Sequence, residues 1–228
     1  MMNRDNLLNS NVVFLAGVAL AVGSFGVVLA SVFYALSPVA AALPIPGVSM
    51  DSAYDGVISG RDTMMAAGMI GLISDVIFIA GALLLTIFRV PVSIQIERIG
   101  WALVTTGVTI FIFVDALAAG VLTQLAALDS TMTAFAGFKL LFNIFFIFGT
   151  ITVGLGVPAI LMGELRSTSS ILSKPLAWVG ILFSLAGLAA SILYFLNVAL
   201  PQVIGISIAG ASLIFGIYGI QIARQSNP

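Results

Sequence analysis

Six apolar runs, each long enough to cross a bilayer, constrain this chain more than anything else in it. A hydrocarbon core about 30 Å thick takes about 20 apolar residues per helix. Runs of that length occupy about 11–36, 63–88, 99–127, 134–162, 176–197 and 201–222. Of the 228 residues, 61% are hydrophobic and 7% are charged, too much apolar surface for a water-soluble domain to hide. The expected fold is all-α: a polytopic membrane protein, one integral membrane domain spanning residues 1–228, a bundle of six transmembrane helices with a longer outer loop at 37–62.

The basic residues set the expected orientation. With the N-terminus in the cytoplasm, Arg4, Arg89, Arg98, Arg166, Lys174 and Arg224 all fall inside, and only Arg61 falls in an outer loop. Basic residues concentrate in cytoplasmic loops, so both termini are expected in the cytoplasm and the protein in the cell inner (plasma) membrane. Trp101 and Trp178 read as aromatic-belt residues at inner helix ends, and Tyr34 and Tyr194 at outer ends. The first run is longer than the about 7–15 residues of a signal-peptide core and reads as a retained helix. Pro175 suits the first turn of the fifth helix, with Ser173 as N-cap, and Pro201 opens the sixth. Pro158 lies inside the fourth and is expected to kink it near Gly154, because it donates no backbone hydrogen bond there. In the outer loop, Pro44 and Pro46 predict an irregular first part, and Asp51, Asp55 and Asp62 make the second part acidic. The loop reads as a connector on the membrane surface.

Four polar residues interrupt the apolar runs. Asp75 and Asp115 fall near the midpoints of helices two and three, and Lys139 and Asn143 fall one turn apart in the outer half of helix four. An ionised side chain at the bilayer centre costs about 2.5–3.5 kcal/mol on insertion scales. Asp75 is therefore expected to face the interior beside small residues of helix one or six, with Gly68 and Gly71 admitting a partner backbone. Gly17, Ala21 and Ser24 in helix one and Ala209, Ser212, Gly216 and Gly219 in helix six read as packing stripes. Counted from the turn between Asp129 and Thr133, Asp115 and Lys139 differ in depth by about 12 Å at 1.5 Å per residue. That gap predicts an Asp115–Asn143 hydrogen bond, with Lys139 snorkelling toward the outer surface.

With these residues placed, residues 71–104 resemble a widespread bacterial family of six-helix integral membrane proteins of unknown function. The pattern comprises Ser74-Asp75 within helix two, then the short inner turn Arg89-Val-Pro91, then an apolar helix. Residues 149–187 are similar to the same family's helix four, Ser-containing inner loop and helix five. The family's histidine at the start of helix four is absent, and the region around Lys139 takes its place. The resemblance implies a fold and no activity.

The chain has no cysteine and no histidine, which excludes disulfides, thiolate sites, haem or zinc held by histidine, and the commonest general base. No metal and no cofactor is expected. A net charge of −1 argues against nucleic acid as a partner. Neither a paired-aspartate protease motif nor a serine–histidine arrangement is present, so the protein is not expected to be an enzyme. The leading functional expectation is a small transport or channel-like protein using intramembrane carboxylates. The alternative is a non-catalytic accessory or scaffold subunit of a larger membrane complex, contacting lipid or pigment through a phenylalanine-rich face of helix four (Phe135, Phe138, Phe142, Phe145, Phe146, Phe148). The lipid bilayer is the expected partner in both cases, with other membrane subunits in the second.

Overall fold

The computed structural model describes residues 4–88, 95–128, 132–167 and 170–226, with only the backbone described at 4–9 and 39–40. Arg89, Pro91, Asp129 and the Arg4 side chain lie outside the described residues.

Helix forms wherever the sequence is apolar and unbroken, since a backbone in lipid must satisfy its own hydrogen bonds. Six helices are long and apolar enough to cross a membrane. Helix one is Arg4–Leu36, helix two Arg61–Phe88, helix three Gln95–Ala127, helix four Met132–Arg166, helix five Lys174–Tyr194 and helix six Pro201–Ser226. Helix three widens into a π-helical turn over Leu117–Leu122. Among the described residues there is no strand, and the chain is an all-helical bundle. Helix four runs four residues beyond its expected end and continues unbroken through Pro158. Ser173 is the N-cap of helix five, but its side chain makes no capping bond. Helix five ends on Asn197, whose φ of 60° is left-handed, with Val198 N–H donating to the Leu193 carbonyl at 3.0 Å.

Each helix packs against its neighbours in the chain, and helix six closes back onto helix one, so the bundle is a ring in chain order. Close approach at the seams depends on glycine. A Cβ at Gly219 would lie 2.6 Å from the Ala21 nitrogen and the Gly17 oxygen, and one at Gly17 would lie 2.7 Å from the Gly219 oxygen. The stripes of helices one and six therefore meet each other. Six crossings bring the two ends of the bundle's chain to one side, where the Ser10 hydroxyl donates to the Ser226 carbonyl. That side is called the terminal end below, and the opposite side the loop end.

At the loop end, the 37–60 segment packs onto the bundle. It forms a helical turn, Val39–Ala42, and a second helix, Met50–Ser59, capped by Ser49. Ala53, Gly56 and Val57 recur on one face of that helix and are buried. Tyr54 sits edge-on against Phe135, with ring centroids 5.1 Å apart. The apolar spacing within an otherwise acidic stretch explains why the segment folds over the bundle.

Two aromatic residues depart from their belt assignment. Trp101 is 1% exposed and stacks on Tyr218 in the core. Tyr34 turns inward. Trp178, at 53% exposure, is the one of the two tryptophans that faces outward.

Candidate functional site

Asp75 and Asp115 face each other across the seam between helices two and three, within hydrogen-bonding range. Asp75 is 3% exposed and Asp115 is 6% exposed. Glycine makes the meeting possible. A Cβ at Gly68 would lie 2.6 Å from the Asp115 carbonyl oxygen and the Ala119 nitrogen, so the two backbones touch there. One turn on, a Cβ at Gly71 would overlap the Asp115 carboxyl itself. The backbone admitted by this small face belongs to helix three, not to helix one or six as the sequence reading expected.

Helix one supplies the third member. The Tyr34 hydroxyl donates to Asp115 Oδ1 at 2.7 Å. Long side chains on a helix point back toward its N-terminus, so a tyrosine near the C-terminal end of helix one reaches down into the bundle. Asp75 Oδ2 is buried and has no hydrogen-bond partner. Neighbouring Ser74 spends its hydroxyl on the Ile70 carbonyl at 2.6 Å and packs against Gly26.

The hydrogen-bond inventory of this triad is short of donors. Carboxylate oxygens only accept, so contact between the two carboxyls needs a proton on one of them.

Lys139 and Asn143 do not join the pair. Lys139 is 2% exposed and does not reach solvent at the loop end. Its Nζ donates to the Ala41 carbonyl at 2.7 Å and sits 4.3 Å from the Phe142 ring centroid. The folded loop intercepts the ammonium before it can snorkel. The expected Asp115–Asn143 bond does not form: Asp115 bonds Tyr34, and the Asn143 side-chain oxygen is buried without a partner. Pro158 lies away from the site, on the helix-four side facing the core.

The carboxyl pair lines a cavity of about 420 Å³ in the loop-end half of the bundle. Helices one, two, three, four and six contribute its walls, which are mostly apolar; Phe111 and Phe146 are among them, and among the described residues no lysine or arginine lines it. A smaller void of about 50 Å³ continues inward past Val27, Phe111 and Ile208, with Thr150, Ser184, Ser207 and Ser212 among its lining. Beyond it Phe78, Trp101, Phe215 and Tyr218 pack ring against ring.

A third buried acid sits toward the terminal end. Glu164, 6% exposed, accepts from the Tyr218 hydroxyl and from the Ile171 N–H, both at 2.7 Å. Sequence reading passed over Glu164, Tyr34 and Tyr218. From the sequence Tyr34 takes only a belt position, and Glu164 and Tyr218 no role. The signal for Tyr34 was available, because a buried aspartate needs a donor and a tyrosine near the end of helix one points back into the bundle.

The phenylalanines of helix four divide between two faces. Phe135, Phe142 and Phe146 are core, while Phe138 and Phe148 face outward at 38% and 50% exposure. No grouping of acids that could hold a metal ion occurs among the described residues. No family model matches the chain, and neither the curated proteins nor the solved structures contain a match.

Proposed function

We propose that this multi-pass membrane protein is a small, non-enzymatic transporter in which the Asp75–Asp115 pair carries a proton or cation. The observation that carries the reading is the pair's position: two buried carboxyls, Asp115 accepting from Tyr34, on the wall of a cavity. Charged residues inside a membrane are expensive and most often mark ion pathways. Among the described residues no hydroxyl or N–H donor reaches Asp75 Oδ2, which leaves it an acceptor for a proton or a guest. A cavity occupies the loop-end half of the axis, and packed rings and Glu164 fill it toward the terminal end. That asymmetry fits one end state of an alternating-access cycle.

The six basic residues of the turns and termini favour a cytoplasmic terminal end, with both chain termini inside, in the inner membrane. The resemblance of residues 71–104 to the bacterial six-helix family bears on fold alone. The accessory-subunit alternative keeps an outward face of Phe138, half-buried Phe145 and Phe148 on helix four, while Phe135, Phe142 and Phe146 are core.

Proteoliposomes holding a pH-sensitive dye test the proposal. The parent protein is expected to dissipate an imposed proton gradient, and Asp75→Asn is expected to fold equally well and fail to do so. Equal rates for the two proteins would refute the assignment.

A further inference from the structure

The cavity is not closed on its lipid side. Helices one and six touch through Gly17 and Gly219 near the terminal end, then separate toward the loop end. Val32 and Ile206, which line the cavity from the two helices, are 50% and 62% exposed. A Cβ at Gly205 would meet nothing within 4 Å. A crevice between helices one and six therefore leads from surrounding lipid to the carboxyl pair.

We propose that this cavity binds a lipophilic organic ammonium, a monovalent amine with an apolar body, admitted sideways between helices one and six. The inference rests on the transport reading and names its substrate class. Three features select that chemistry. The volume of about 420 Å³ falls in the range of about 300–1,000 Å³ typical of small-molecule sites. The walls are apolar, and the edge-to-face rings of Phe111 and Phe146, 5.7 Å apart, offer faces to a cation. At the polar end, Asp75 Oδ2 is a buried acceptor without a donor, and among the described residues no basic side chain lines the cavity.

Charge bookkeeping agrees. Two carboxyls sharing one proton carry one negative charge, and a single ammonium neutralises it while donating to Asp75 Oδ2. A neutral guest of the same shape leaves that charge uncompensated. An anionic guest meets like charge. The second proton and the ammonium thus compete for one place, and exchange of one for the other needs no further group.

The test uses the full chain in dodecyl maltoside micelles and tritiated 1-naphthylmethylamine, with 1-naphthylmethanol as neutral isostere. Saturable binding of the amine is expected, with the alcohol at least tenfold weaker. Asp75→Asn should weaken amine binding at least tenfold. Gly205→Phe fills the crevice without touching the carboxyls, and should abolish binding at an unchanged melting temperature. Equal binding of amine and alcohol overturns the proposal, as does undiminished binding by a folded Gly205→Phe protein. Proton flux in proteoliposomes without amine binding refutes the substrate class and leaves the transport reading standing. Amine binding without proton flux when the amine is supplied to the proteoliposomes supports the site and refutes transport.

Discussion

At the scale of single residues, the site depends on one missing methyl group. The Asp115 carboxyl rests where a Cβ of residue 71 would be. Gly71→Ala is expected to cost about 1–3 kcal/mol, the usual range for overpacking. In an Asp115→Ala background the same change should cost little, because the clash is with the carboxyl. Thermal melts of the four proteins of that cycle decide it; equal costs in both backgrounds would show the clash to be elsewhere. Tyr34→Phe removes only the donor to Asp115 Oδ1. Interhelical hydrogen bonds in membranes average about 0.6 kcal/mol, so that variant should melt close to the parent. How far these residues were legible follows from the same physics. Burial of Asp75 could be read from the energetics of charge in lipid. Its partner could not, because which helix meets Gly68 and Gly71 depends on the order of helices around the ring. Lys139 misled for a related reason: snorkelling assumes water above the ammonium, and the folded loop stands there instead.

At the scale of elements, the six helices were legible to within a few residues because a spanning run has a physical minimum length. The loop helix Met50–Ser59 was not, since Asp51 and Asp55 mask three buried residues on its other face. Lys139 ties the loop down through the Ala41 carbonyl. Lys139→Met keeps the stem and removes the donor, and is expected to expose the stretch between the two loop helices to thermolysin severalfold faster than in the parent. An unchanged cleavage rate would show the tie to be dispensable. Helix seams tolerate change unevenly. Gly219→Val drives a side chain into the backbone of helix one, and little monodisperse protein is expected on size exclusion. Gly205→Val, on the same helix where the seam has opened, should purify like the parent. The π-turn at Leu117–Leu122 had no signature in the sequence. Its position directly after Asp115 suits a place where helix three must turn a carboxyl toward helix two, and such turns recur at functional sites.

At the scale of the whole molecule, orientation rests on charge and is open to direct measurement. Cysteines placed at Asp55 and Arg224, both on exposed positions, should react differently with a membrane-impermeant maleimide. Asp55→Cys should label in intact cells and Arg224→Cys only after permeabilisation. The reverse result would turn the cavity mouth toward the cytoplasm. The ring order has another consequence, for connectivity rather than chemistry. Five of its six seams join helices consecutive in the chain, and the sixth joins helix one to helix six without any covalent link. Hairpins can form one after another during insertion, so only that last seam needs distant parts of the chain to find each other. It is also the seam that parts to form the crevice. Because Ser10 and Ser226 already touch, a short peptide could bridge them and the chain could be opened between helices four and five instead. The permuted protein is expected to rebuild the same bundle, since a ring of helices has no necessary beginning.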